Sequence, residues 1–152
     1  MDMYEGGIRV PMGASWPGKI RPHSKSGYIA LTMDLFPTIC DAAGVKSVKG
    51  VEGISMLGTL VGQMSPPLSR PLIWVGRSGG NKYRGRDYYA VRLGRWKLVQ
   101  NSPLGSYELF NLRDDPSEEH DIGNQEPKTK DRLADILKRH IKKAGAVPWQ
   151  KP

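Results

Sequence analysis

Apolar residues fall along this chain in two different rhythms, and the change between them divides it. From Pro71 onward the runs are short and bounded by turn residues. Leu72-Ile73-Trp74-Val75 is one such run, and Tyr88–Arg92 and Trp96–Val99 flank the connection Leu93-Gly94-Arg95. Tyr107–Leu112 follows and leads into Asp114-Asp115-Pro116, a turn signal. Runs of this kind predict strands, and the glycine-bearing connection predicts a hairpin. The rhythm then becomes helical. Leu133, Ile136, Leu137, Ile141 and Ala144 recur at three- and four-residue steps, with Lys, Arg and Asp on the opposite face, which predicts an amphipathic helix. His140 falls beside that stripe as a boundary packing residue, and Pro148–Pro152 reads as a frayed tail.

Before Pro71 the pattern is less regular. Tyr4-Glu5-Gly6-Gly7 gives a tight backbone passage, because glycine accepts conformations closed to other residues. Residues 8–14 are apolar on both faces around Arg9 and predict a strand suited to the interior of a mostly parallel sheet. The sequence shows no strand–helix–strand units to supply its neighbours. Trp16-Pro17-Gly18-Lys19 closes that run, and Arg21–Gly27 is a polar loop. Leu35, Phe36, Ile39, Cys40 and Ala43 cover one broad face of a helix, with Asp34 near its start, Pro37 in the first turn and Gly44 as C-cap. Residues 45–54 are a loop, and Met56–Gly62 is a short apolar helix with Ser55 as N-cap. Gln63–Arg70, with Pro66-Pro67, reads as a linker, and residues 76–87 as a loop rich in Gly, Arg and Lys.

Composition narrows the chemistry. The chain has 152 residues, enough for one domain or one small domain with an added piece. Its net charge of +8 is spread among interleaved acidic residues, so solubility accounts for it better than a nucleic-acid partner does. A single cysteine, Cys40, excludes an internal disulfide and any multi-cysteine zinc site. On its helix face Cys40 reads as a small buried hydrophobe. His23, His120 and His140 have no metal-ligand spacing with one another or with Cys40, and Ser24 beside His23 implies no orienting acid. Gly76-Arg77-Ser78-Gly79-Gly80 lacks the Gly-Lys-Ser/Thr ending of a phosphate loop. Met1-Asp2-Met3 has no basic start and no apolar region behind it, and no apolar run reaches the length of a membrane span.

Several blocks together resemble one family. Glu5-Gly6-Gly7-x-Arg9-Val10-Pro11 with Trp16-Pro17-Gly18-Lys19-Ile20 is similar to the segment that ends the catalytic domain of sulfatases. Met33–Ile39 running on to Ala43-Gly44, Ala90–Leu98, and Glu108–Glu118 resemble further blocks of that family, in the same order. Thr32 stands where the family often has histidine.

The resemblance implies an α/β fold, the C-terminal fragment of an alkaline-phosphatase-like sulfatase. It would comprise the last core strand and helix plus a small antiparallel sheet with a C-terminal helix. It further implies that residues 1–65 end the catalytic domain, that 66–147 form the C-terminal subdomain, and that 148–152 are tail. Full-length sulfatases cleave sulfate esters with a formylglycine and a divalent metal, usually Ca²⁺, and are usually secreted, periplasmic or lysosomal. Their formylglycine arises from the cysteine or serine of Cys/Ser-x-Pro/Ala-x-Arg. Here Cys40 continues Asp41-Ala42-Ala43-Gly44, and Ser15-Trp16-Pro17-Gly18-Lys19 has lysine in place of arginine. Neither meets the pattern, and no Asp-Asn-Gly metal motif is present.

Alignment on Tyr4 places the family's catalytic lysine one residue upstream of Met1. The expectation is therefore a chain with no catalytic residue or metal ligand of its own, inactive alone. Its partner would be a missing N-terminal catalytic portion, and the parent's substrate a sulfated small molecule or glycan. Arg77, Lys82, Arg84 and Arg86 on the glycine-rich loop are candidates to contact an anionic group of that substrate. Glu5 and Arg9 are candidates to brace the active-site floor by pairing. Two alternatives stay open: a freestanding basic module for sulfated glycan or nucleic acid, and a phosphoesterase relative of the same superfamily.

Overall fold

The structure is a computed structural model, and it describes residues 3–45, 49–63, 70–77, 87–102 and 105–144. The chain divides into two compact units, one formed by Met1–Val10 with Ser69–Pro152 and the other by Pro11–Leu68.

The first unit is built on a four-stranded antiparallel meander. Its strands are β1 (Leu72–Arg77), β2 (Asp87–Leu93), β3 (Trp96–Gln100) and β4 (Glu108–Asn111), in the order β1-β2-β3-β4. The predicted hairpin is present: Leu93 pairs with Trp96 across Gly94-Arg95, and Gly94 takes a φ of 60°. That left-handed conformation is cheap only for glycine. The Arg95 guanidinium lies over the Trp96 ring, 4.7 Å from its centroid.

Successive residues of a strand point to opposite faces, and here both faces are covered. Val91, Leu98 and Leu109 point to one side, where they meet Leu133, Ala134 and Leu137 of the C-terminal helix (Pro127–Ala144). Their neighbours Ala90, Val99 and Phe110 point to the other side, where Met3 covers them with Tyr4 and Ile8. A sheet buried on both faces explains why strand pairs such as Ala90-Val91 and Leu98-Val99 read as continuous apolar runs. The outer edge of β4 is closed by its own return loop. The Leu109 N–H donates to Asp121 Oδ1, and the Ile122 N–H donates to the Leu109 carbonyl. An edge sealed in this way offers no template for another strand.

We label the helices in chain order: α1 (Glu5–Ile8), α2 (Leu35–Ala42), α3 (Leu57–Leu60) and α4 (Pro127–Ala144). The strand expected at residues 8–14 does not form. Glu5–Ile8 is a helical turn closed by the Arg9 N–H on the Glu5 carbonyl, and the residues after it carry no ladder. A strand exists only with a neighbour to satisfy its backbone groups, and none pairs with this segment among the described residues.

In the second unit, a 3₁₀ turn at Thr32–Asp34 leads into α2, which ends at Gly44 with a φ of 71°. The expected start, Pro37 in the first turn and glycine cap are therefore in place. The burial is not. Leu35, Phe36 and Ile39 are exposed and Cys40 is half-buried, whereas the buried residues at this helix are Asp34 and Thr38. Both are held by the segment before α3. Asp34 accepts from the Leu31 and Ile54 N–H groups, and Thr38 Oγ1 accepts from the Met56 N–H while donating to the Asp34 carbonyl. Ser55 donates to Asp41 and accepts from the Leu57 N–H, one position earlier than a regular N-cap.

Candidate functional site

Three of the sequence blocks converge on one face of the sheet in the first unit. Leu72, Arg92, Lys97 and Phe110 stand side by side across the four strands in register. Arg92 and Lys97 are thus directly opposed cations on neighbouring strands, an arrangement that repels unless something lies between. Glu5 does. Its Oε2 is 3.0 Å from Arg92 Nη1 and its Oε1 is 3.1 Å from Lys97 Nζ. Glu118 completes the group: its Oε1 lies 2.7 Å from Lys97 Nζ, and its other oxygen accepts the Glu5 backbone N–H.

The cluster is dry. The Lys97 side chain is fully buried and that of Glu118 is 2% exposed. A charge in such a place is tolerable only when paired and hydrogen-bonded. Two carboxylates here balance one guanidinium and one ammonium. Each element contributes for a local reason. Strand parity puts Arg92 and Lys97 on the same face. The α1 turn lowers Glu5 onto them. The loop after β4 delivers Glu118, whose φ of 58° is unusual for a residue with a side chain. Asp115 shapes that loop by accepting from the Glu119 and His120 N–H groups. These backbone bonds, that of His120 foremost, hold its carboxyl below the usual range.

Tyr4 fastens the same segment one residue earlier. Its hydroxyl donates to Glu108 Oε2 at 2.6 Å, and its ring meets Phe110 edge-on. Burial, reinforced by the bond to Glu108, pushes the phenol up to about 12. Beside the cluster opens a cavity of about 490 Å³ lined by Tyr4, Gly6, Gly7, Pro116, Ser117 and Glu118. Gly6 sits in an ordinary helical turn, and a Cβ there would meet nothing within 4 Å. No crowding among the described residues demands glycine at that position. Its bare backbone leaves the cavity wall open.

The sequence candidates divide on this geometry. Glu5 is a buried pairing residue. Arg9 is exposed, and its backbone rather than its side chain closes the α1 turn. Arg77 ends β1 with its backbone in register with Asp87, while Lys82, Arg84 and Arg86 lie outside the described residues. The structure brings Glu5 to Arg92, Lys97 and Glu118, and sequence reasoning had not singled out those last three. A signal was available. A lysine inside the apolar run Trp96–Val99, two residues from a tight hairpin, needs a carboxylate partner. No cluster of three or more His, Cys, Asp or Glu among the described residues has metal-ligand geometry. Cys40 lies in α2 without a formylglycine pattern, so neither group fits these residues and no step is routed through them.

The profile of "N-sulphoglucosamine sulphohydrolase, C-terminal" matches residues 2–146. The chain belongs to the sulfatase family. It is 36% identical over 110 residues to mouse N-acetylgalactosamine-6-sulfatase, a match covering 70% of this chain and 19% of that protein. With Arylsulfatase K from Gallus gallus it shares 28% identity over 143 residues, covering 91% of this chain and 26% of the relative. Among solved structures, a putative sulfatase from Bacteroides thetaiotaomicron superimposes with a TM-score of 0.62 at 25% identity, over 72% of this chain and 24% of that one. BT4656, solved in complex with its substrate D-glucosamine-2-N,6-O-disulfate, gives 0.61 at 21% identity, over 78% and 25%. The sulfatase chain thus spans about a fifth to a quarter of the length of the relatives it matches. The four-stranded antiparallel sheet with its C-terminal helix is the small sheet and helix that the resemblance implied.

Proposed function

We propose that this chain is the scaffold portion of a sulfuric ester hydrolase. In this reading the formylglycine and the divalent metal belong to a catalytic portion outside this sequence, and the substrate is a sulfated glycan or sulfated small molecule. The observation that carries the reading is the ion cluster. The Tyr4–Gly7 segment, which resembles the end of the sulfatase catalytic domain, is clamped onto the small sheet by Glu5, Arg92, Lys97 and Glu118. All four charges are committed to one another, which suits fixing a segment rather than transferring a proton. The basic loop residues Arg77, Lys82, Arg84 and Arg86 are proposed to meet an anionic group on the leaving alcohol of the substrate.

Incubating the purified chain with 4-nitrophenyl sulfate, with and without Ca²⁺, tests the division of labour. The expected result is no release of 4-nitrophenol under either condition. Metal-dependent release by this chain alone would overturn it. Salt-sensitive binding to heparin by a cooperatively folded chain would favour the freestanding basic module instead.

A further inference from the structure

Helix α2 in the second unit is inside out. Asp34, Thr38 and Asp41 lie along one side of it, and each is bonded to residues 54–56. Asp34 is fully buried and Thr38 is 7% exposed. On the other side Leu35 is 43%, Phe36 52% and Ile39 66% exposed, with Met33 beside them at the preceding turn. The polar seam fixes the helix without using its apolar face. Met56 is the one apolar side chain of this unit that is buried among the described residues. Scattered exposed apolar residues are ordinary, but a contiguous set on one helix face marks a contact surface.

We propose that the Leu35–Phe36–Ile39 face is the docking surface for the remaining body of a sulfatase catalytic domain, an apolar α/β partner outside this sequence. The proposal rests on the reading given under Proposed function. Length selects this occupant. The relatives match over 70% and 91% of this chain but only 19% and 26% of their own length, so the fold has most of its mass still to place. Charge agrees with it. Leu35–Ala42 contains no Lys or Arg, so nothing on the helix would draw an anionic membrane or a nucleic acid to it. Size argues against a second copy. A helix of 8 residues is about 12 Å long, and self-pairing of its face falls well short of the roughly 800 Å² per partner that separate chains need. Contact within one continuous fold has no such requirement.

The test compares the free chain with a fusion in which residues 1–152 replace the matched segment of mouse N-acetylgalactosamine-6-sulfatase. Amide hydrogen exchange is read at Leu35–Ala42. The expected result is rapid exchange in the free chain and at least about 100-fold slower exchange in the fusion. Phe36→Asp with Ile39→Asp in the fusion should abolish the protection, while Lys128→Asp, on an exposed position of α4, should leave it. A second measurement does not depend on the fusion folding. The free chain should bind bis-ANS as a monomer, and Phe36→Ser with Ile39→Ser should cut that signal several-fold. Strong protection of α2 in the free chain, as monomer or dimer, would overturn the proposal. So would unprotected α2 in a folded fusion, or a free chain that binds no dye. A fusion that protects α2 yet hydrolyses no sulfate ester would leave the docking surface standing and remove the proposed activity.

Discussion

Replacing Lys97 with methionine should do more harm than any change on the surface of the sheet. The ammonium lies 3.1 Å from Glu5 Oε1 and 2.7 Å from Glu118 Oε1, with no exposed side-chain area of its own. Methionine keeps most of the volume, so the loss is electrostatic rather than a cavity. Glu5 retains Arg92, but Glu118 keeps only the Glu5 N–H among its described partners. Breaking a buried pair by removing one partner costs about 3–5 kcal/mol, because the other charge stays buried. Adding Glu118→Gln removes that stranded charge and should recover roughly half of the loss. Native-state hydrogen exchange at the Leu98 and Leu109 amides reads the stability of this unit separately from the other. A loss under about 1 kcal/mol for Lys97→Met, or no recovery in the double variant, would refute the view that the cluster is desolvated and mutually dependent.

Three further outcomes follow from the same geometry. Tyr4→Phe removes one hydrogen bond to Glu108 and should cost about 1 kcal/mol. In the native chain an ultraviolet titration should show Tyr4 ionising near 12, a step that Tyr4→Phe removes. Because the folded phenol lies above the unfolded value, its contribution is complete below about pH 10 and is lost as pH rises toward 12. Asp115 has the opposite sign. Its depressed carboxyl contributes above the ordinary aspartate range and loses that contribution as pH falls through its folded value. An NMR titration should find it among the most acidic aspartates, and Asp115→Ala should speed exchange at the His120 amide. Gly53→Ala should disrupt the seam on α2, since a Cβ there would stand 2.0 Å from the Met33 carbonyl oxygen. Faster exchange at Ile54 and Met56 is the measurement, and unchanged exchange would contradict the packing.

The sheet unit was legible because its signals are local. Period-two apolar runs, a glycine hairpin and one amphipathic helix specify β2, β3, β4 and α4 with little help from elsewhere. The run at residues 8–14 departs from its pattern for the complementary reason. Its apolar composition fits a strand, but a strand is a relation between two segments, and none pairs with it among the described residues; its first residue, Ile8, instead ends a turn of helix and packs on the sheet. The helix α2 was located correctly and its buried side was not. Apolar periodicity reports which face prefers to be covered, and in this chain Asp34, Thr38 and Asp41 capture the neighbouring segment through hydrogen bonds first. The ion cluster stayed hidden because its members are 92 residues apart in sequence at Lys97 and Glu5. Only strand parity and register bring them together. Glu5 was found through its block, while Lys97 announced itself only as a charge inside an apolar strand.

Hydrolysis of 4-nitrophenyl sulfate by the fusion, set against the 152-residue chain alone, tests the central claim most directly. The account predicts Ca²⁺-dependent release from the fusion and none from the chain, with a large loss of the fusion's activity on Lys97→Met. Turnover by the chain alone, or a folded fusion that releases no sulfate, would contradict it.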